Sequence, residues 1–229
     1  MNVDIIIPTF NNAKFLEEAL FSCFLQTYSN FKIIVIDDCS TQDIKRVVNS
    51  FNSKKIKLIR NERNLGPAAS RNVGINNSCG EIISLLDSDD IWTKYKLERS
   101  IEVFKKNPEI GMVCGNYRRL EDRKNICKKF YQKDIVVNFE TLKRVNWVAS
   151  GSVSFRRSIL KKTGLFDEKY WVGEDYDMWI RMSKNTKIKY ISDVLYYYSV
   201  DSNQKSLTSD ESLFDHHKKV LLEIKSKYY

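Results

Sequence analysis

Apolar positions along this chain fall into two alternating rhythms, short β-branched runs and longer stretches recurring every three to four residues, which predict strands and helices in turn. Val3 to Ile7 is the first strand, halted at Pro8, with Thr9-Phe10-Asn11-Asn12 as the turn and Asn12 as the helix cap. Phe15, Leu16, Ala19, Leu20, Cys23 and Phe24 share one helical face, while Lys14, Glu17, Glu18 and Ser22 take the other. Phe31 to Ile36 is the second strand and empties into Asp37-Asp38; Ser40-Thr41-Gln42-Asp43 reads as a capping box for a short helix through Val47, Val48 and Phe51. Ile56 to Ile59 gives a third strand, 61–67 a loop, and Ala68 to Asn76 a helix with Arg71 in its interior. The fourth strand begins at Glu81-Ile82-Ile83 and ends in Asp87-Ser88-Asp89-Asp90. Such a β-α-β-α order predicts an α/β fold with a mostly parallel, doubly wound sheet flanked by helices.

The second half is less regular. Lys94 to Lys106 is an amphipathic helix through Leu97, Ile101 and Phe104, and Met112 to Tyr117 a strand. The basic stretch from Arg118 to Asp134 reads as a solvated loop or hairpin, with a binding patch as the competing reading. A helix near Phe139 to Val145 precedes Val148 to Phe155, whose small residues suit either close approach to a ligand or an edge strand. Gly173 then leads into Glu174-Asp175-Tyr176-Asp177 at a helix start, Ile188 to Tyr198 supplies the final strands, and Thr208 to Glu211 caps a terminal helix through Leu213, Val220, Leu221 and Ile224. His216 and His217 on that helix are adjacent rather than at ligand spacing, which predicts surface roles.

Composition narrows the class. With 229 residues, eight Gly and three Pro, the chain can bury a sizeable core and is expected to form one domain, a half of residues 1–93 followed by a half of residues 94–229. A formal charge of +9 suits an anionic partner: a nucleotide, a phospholipid surface or a nucleic acid. Five cysteines, Cys23, Cys39, Cys79, Cys114 and Cys127, show no C-x-x-C spacing, so neither a disulfide framework nor a zinc site is indicated and a reducing cytosol fits. No apolar run reaches the ~20 residues of a membrane span, so membrane contact is expected to be peripheral.

Two acidic stretches carry candidate chemistry. Packing Asp87, Asp89 and Asp90 at the end of a buried strand is electrostatically unfavourable unless a cation, hydrogen-bond donors or bulk water compensates, so the reading is either a divalent-cation site or a solvated turn. Thr9, Asp38 and Asp87 to Asp89 all sit at carboxyl ends of strands in one predicted sheet, where open α/β sheets bind ligands. Glu174 and Asp175, in a first helical turn, read as structural caps or as a carboxylate kept available as a base.

Taken together, Ile5-Ile6-Ile7-Pro8-Thr9-Phe10-Asn11, Val35-Ile36-Asp37-Asp38-Cys39-Ser40, Asn64-Leu65-Gly66-Pro67-Ala68-Ala69-Ser70-Arg71-Asn72, Leu85-Leu86-Asp87-Ser88-Asp89-Asp90 and Gly173-Glu174-Asp175-Tyr176-Asp177 closely resemble the inverting nucleotide-sugar glycosyltransferases of family 2. The resemblance implies a GT-A, Rossmann-like fold with a looser acceptor-binding region towards the C-terminus. It also implies transfer of a sugar from a nucleotide-diphosphate donor to a glycan or lipid-linked glycan, as in bacterial cell-surface polysaccharide synthesis. By that resemblance Pro8, Thr9, Asn11, Asp38 and Arg71 hold the nucleotide, Asp87 faces the ribose or metal-bound water with Ser88 also in the donor-binding set, Asp89 holds Mn²⁺ or Mg²⁺ against the donor diphosphate, Asp175 is the general base, and Trp171 and Glu174 border the acceptor. Many relatives carry a His after the late Tyr-rich strand, where this chain places Asp201. The implied setting is a cytoplasmic enzyme visiting an anionic membrane, with no nucleic acid partner. Two other classes compete on local motifs: a metal-dependent phosphohydrolase, from Asp87-x-Asp89, and a phosphoryl receiver or binding module, from Asp37-Asp38. No G-x-G-x-x-G follows the first strand, which disfavours a nicotinamide dehydrogenase.

Overall fold

The computed structural model describes residues 1–121, 124–126, 132–144, 146, 148–200 and 211–228. In chain order these form β1 (Val3–Thr9), α1 (Ala13–Phe24), β2 (Phe31–Asp37), α2 (Ile44–Ser50), β3 (Ile56–Arg60), α3 (Gly66–Asn76), β4 (Ile82–Leu85), β5 (Ile91–Trp92) and α4 (Lys96–Lys106). There follow β6 (Ile110–Glu121), β7 (Lys124–Ile126), β8 (Ile135–Val137), α5 (Phe139–Leu142), β9 (Ser154–Arg156), α6 (Leu160–Thr163), α7 (Glu174–Asn185), β10 (Lys187–Val200) and α8 (Glu211–Tyr228).

The α/β expectation holds, and one sheet takes strands from both sides of residue 93, in the order β3-β2-β1-β4-β9-β6-β10-β5. Among the described residues parallel pairing is confined to β3-β2-β1-β4 and the β6-β10 pair. The sheet is therefore parallel in its first half and mixed beyond. The change occurs at β9, which lies antiparallel to both β4 and β6. The segment from Val148 to Phe155 thus ends in a central strand rather than at an edge. Its small residues fit because Ser84 and Ser154, directly opposite each other, share a buried hydrogen bond of 2.7 Å.

Several local expectations shift for identifiable reasons. β1 runs through Pro8 to Thr9. The Ile6 carbonyl faces β4 and the Thr9 carbonyl faces β2, so by alternation the Pro8 nitrogen points towards β4, beyond the last pair Ile6–Leu85, where no ladder donor is missed. Asn12 makes no capping bond to α1 and instead reaches Ser88. Asp43, not the Ser40 end of its segment, caps α2 by accepting from the Arg46 amide at 2.9 Å. The final strands are one long irregular strand, β10. The basic stretch begins as a β6–β7 hairpin; Arg123, Lys128 and Lys129, with Cys127, Asp201 and the expected cap at 208–210, lie outside the described residues.

Apolar residues fill both faces of the sheet. On one, Ile5, Ile7, Leu16, Leu20, Ile33, Val35, Leu97 and Phe104 pack α1, α2 and α4 against the strands. On the other, Ile6, Ile83, Met112, Phe155, Met178 and Trp179 do the same for α3 and α7. Tyr170, Tyr176, Ile180, Val220 and Ile224 form a separate cluster between α7 and α8. Among the described residues no helix is long and apolar enough to cross a membrane.

Candidate active site

The carboxyl ends of β1, β2 and β4 open on one rim, and the side chains there are bound mainly to one another. Asp38, buried just past β2, accepts from Asn61 Nδ2 at 2.7 Å, the Leu65 amide at 2.9 Å and the Gly66 amide at 2.9 Å. Its carboxylate shapes the loop that starts α3. Asn11 adopts a left-handed φ of 50° and accepts from the amide and hydroxyl of Thr41, which locks the turn after β1 to the turn after β2. Asn12 donates to the Ser88 hydroxyl at 3.0 Å and so ties the same turn to the acidic stretch. Pro8 is the penultimate residue of β1. The Thr9 hydroxyl, almost fully buried on this rim, has no hydrogen-bond partner among the described residues. Buried orphan hydroxyls are costly, and one at a strand end is a ready contact for a polar ligand.

The acidic triplet divides its labour. Asp87 and Asp89 are half-buried, whereas Asp90 is closed off at 1% exposure, accepts from the Ser199 amide at 3.2 Å and packs against Gly151 and Tyr196. Burial, then Asp89 and Asp87, push the Asp90 carboxyl well above the usual carboxylate range. Asp89 is pushed up to about 6, first by burial and then by the Asp87 charge. A half-buried carboxylate held at such a disadvantage, next to a second one, is a donor set that a hard divalent cation suits. Among the described residues no cluster of three or more His, Cys, Asp or Glu side chains is arranged as a metal site, so this rim offers Asp89 with Asp87 alongside rather than a closed cage.

The second acidic stretch comes to the first through Arg71. This arginine is 4% exposed; it donates to Asp87 Oδ1 at 2.7 Å and to Glu174 Oε1 at 2.6 Å, with Phe166 beneath its guanidinium. Glu174 is 7% exposed and pairs with Arg71. Burial pushes Glu174 up to about 7, with Arg71 pulling the other way. Asp175, beside it, is half-buried: Oδ1 accepts from the Tyr176 amide at 2.6 Å and Oδ2 from the Ser150 hydroxyl at 3.3 Å. Burial raises the Asp175 carboxyl, opposed by Arg71, the Tyr176 amide and Ser150. Trp171 is 43% exposed and lays its ring over Gly66, so it caps the start of α3 as well as bordering the turn before α7.

The expected residues are thus brought to one rim, and three further side chains join them through contacts that the sequence did not reveal. Asn12, Ser150 and Asp90 act through side-chain contacts 76, 25 and 109 residues away. Ser150 sits in the turn preceding β9, held by Trp92 Nε1 on the Gly151 carbonyl at 2.7 Å. Its only sequence signal was the run of small residues around it.

Known proteins are similar to this chain in sequence or in fold. WfgD of Escherichia coli, a UDP-Glc:alpha-D-GlcNAc-diphosphoundecaprenol beta-1,3-glucosyltransferase, is 30% identical over 209 residues, which cover 91% of this chain and 80% of WfgD. An uncharacterized glycosyltransferase of Methanocaldococcus jannaschii is 31% identical over 215 residues, 90% of this chain and 73% of that protein. Among solved structures, Staphylococcus aureus TarS 1-349 in complex with UDP-GlcNAc matches with a TM-score of 0.81 at 22% identity, over 98% of this chain and 66% of that one. The mannosyltransferase PcManGT of Pyrobaculum calidifontis, in complex with GDP-Man and Mn²⁺, matches with a TM-score of 0.70 at 21% identity, over 88% of this chain and 58% of that one. The chain therefore spans about two thirds of the TarS fragment's length. The fold is that of the GT-A glycosyltransferases. The sequence profile of glycosyl transferase family 2 matches residues 4–164, and the chain belongs to that family.

Proposed function

We propose that this glycosyltransferase moves a hexosyl or N-acetylhexosaminyl unit from a nucleoside diphosphate donor to a hydroxyl of a glycan or lipid-linked glycan, inverting the anomeric centre. The observation that carries the reading is Asp175, a half-buried carboxylate one residue from the Arg71 bridge to Asp87. A base on one side of the bridge and a diphosphate site on the other is the separation that an inverting displacement needs. The activity of WfgD, and the UDP-GlcNAc and GDP-Man complexes of the structural relatives, support the donor class; WfgD supports a lipid-linked acceptor.

In this reading the orphan Thr9 hydroxyl and the loop shaped by Asp38 border the nucleotide, together with Pro8 and Asn11. Asp89, with Asp87 alongside, would hold Mn²⁺ or Mg²⁺. When bound, a divalent cation supplies Lewis-acid neutralisation of the charge that develops on the departing diphosphate. Arg71 holds Asp87 and Glu174 in register, and Ser88 is fixed by Asn12. Asp175 takes the proton of the acceptor hydroxyl as that oxygen bonds to the anomeric carbon, while the bond to the diphosphate breaks on the opposite face and the nucleoside diphosphate leaves. Trp171 offers the exposed side of its ring to a sugar. The excess of basic residues favours contact with an anionic membrane surface where a lipid-linked acceptor resides.

The test is Asp175→Asn, assayed with a panel of nucleotide sugars. The expected outcome is a loss of kcat of about a hundredfold or more with donor Kd nearly unchanged. Retention of more than about a tenth of kcat would falsify the base assignment. A phosphohydrolase, the competing enzyme class, would instead release inorganic phosphate without forming a glycoside.

A further inference from the structure

We infer that α8 is a clasp on the base-bearing turn, and that Lys227 and Tyr228 are positioning residues that act on Asp175 through Asp177. The first part rests on contacts alone; the second rests on the reading of Asp175 as the base.

Asp177 is the third acid of the Glu174-Asp175-Tyr176-Asp177 stretch and is fully buried. Its Oδ2 accepts from Arg181 Nε at 2.7 Å, one turn along α7. Its Oδ1 accepts from Lys227 Nζ at 2.9 Å and from the Tyr228 hydroxyl at 2.8 Å, both on α8. Burial pushes this carboxyl up, yet Lys227, Arg181 and Tyr228 outweigh it and hold it below its ordinary value. A buried charge of this kind is costly to leave without its partners.

The rest of α8 follows the same turn. Gly173, at a left-handed φ of 81°, provides no side-chain cap for α7, and a Cβ there would meet Ile224 at 3.3 Å and Val220 at 3.4 Å. Tyr170 and Tyr176 pack with Val220 and Ile224 on either side of that glycine. At the outer edge Lys169 pairs with Glu223 at 2.9 Å and Lys227 reaches Asp167 at 3.6 Å. The segment from Asp167 to Asp177 therefore lies under α8 along its length, and Trp171, Glu174 and Asp175 stand on that segment.

Three acids fall in the first turn of α7, Glu174, Asp175 and Asp177. Arg71 compensates the first from the nucleotide side, and α8 compensates the last from the other. Asp175 sits between the two anchors. Small displacements at a reacting centre cost large factors in rate, so release of the α8 anchor should show in catalysis before it shows in donor binding.

The experiment uses the full chain with the double substitution Lys227→Met and Tyr228→Phe. Amide exchange of residues 171–176 is expected to rise about tenfold or more while that of β1 to β4 stays unchanged. Transfer kcat is expected to fall about tenfold with donor Kd within about twofold, and Lys227→Arg, which keeps the cation, to retain most of kcat. Unchanged exchange at 171–176, or an equal rise throughout the chain, overturns the clasp. A rate loss carried wholly by donor affinity overturns the positioning role. Should Asp175→Asn keep its kcat, the base assignment falls and the exchange result alone decides for or against the clasp.

Discussion

Arg71 and Glu174 meet at 2.6 Å across 103 residues of sequence, and the same guanidinium reaches Asp87 at 2.7 Å. One buried cation thus joins the acidic end of β4 to the start of α7. Burial opposes the charge on Arg71, but Asp87 and Glu174 more than restore it and raise its affinity for the proton. Arg71→Met leaves two carboxylates facing each other with no cation between them, a change expected to cost about 3 kcal/mol or more. In a chain of this length that corresponds to a fall in Tm of roughly 6–12 °C. Arg71→Lys should not restore it, because a single ammonium cannot engage both partners in fork geometry. Urea unfolding of the three proteins checks this; a Met variant as stable as the parent would mean that the bridge contributes nothing.

Asp89→Asn is expected to stabilise the metal-free protein. Its carboxyl is pushed up to about 6, so above that pH the folded chain carries a charge that burial and Asp87 disfavour. The sign follows: the folded state binds this proton more tightly than the unfolded chain, so stability from this group falls as pH rises from about 4 through 6. The amide removes that penalty, and a gain of roughly 2–4 °C at pH 7, about 1 kcal/mol, should shrink towards pH 4. The same variant should lose any stabilisation by Mn²⁺. Differential scanning at three pH values, with and without Mn²⁺, measures both; a manganese-induced rise identical to the parent's rules Asp89 out as the ligand.

The strands and their acidic ends were legible because each of β1, β2 and β4 is a short β-branched run followed directly by polar residues, a local signal. The partners of those acids were not. Asn12 carries the residue type of a helix cap, and only the fold reveals that its amide prefers Ser88. Both ends of Ser40-Thr41-Gln42-Asp43 satisfy capping preferences, but the Ser40 hydroxyl is taken by the Asn11 amide at 2.9 Å and Asp43 caps the helix. Strand order is likewise non-local: nothing within Ser154–Arg156 says that it enters between β4 and β6. Glu174 had the look of an exposed first-turn acid until Arg71, on another helix, claimed it.

Lys96 shows the same limit and yields a pH prediction. The amphipathic pattern of α4 places lysines at its start, yet Lys96 is fully buried, with Nζ 2.8 Å from Ser154 Oγ and 4.0 Å from the Trp92 ring centre. Burial lowers its proton affinity well below the ordinary lysine value. An unfolded lysine keeps its proton to about pH 10.4, so across the intervening window the unfolded chain binds more protons and stability rises with pH, by up to ~1.4 kcal/mol per unit from this group. Lys96→Met abolishes that slope. In urea unfolding the variant should lose ground relative to the parent as pH rises towards about 10.4, and parallel curves would contradict the lowered proton affinity of the buried amine.

Gly66 and Trp171 give a prediction in which two costs separate. Gly66 sits at a φ of +84° and donates its amide to Asp38 at 2.9 Å, while a Cβ at that position would lie 2.9 Å from the Trp171 ring. Gly66→Ala therefore combines backbone strain, about 1–2 kcal/mol for an alanine held at positive φ, with a collision against a large ring. Trp171→Ala removes the collision and leaves the strain. In a double-mutant cycle the alanine at 66 should cost less in the Trp171→Ala background, with a coupling energy of roughly 0.5–3 kcal/mol. Because the Gly66 amide helps to fix Asp38, donor affinity should fall in Gly66→Ala with or without the tryptophan. Additive unfolding energies would mean that the ring simply swings away, and an unchanged donor Kd would separate the Asp38 loop from the nucleotide altogether.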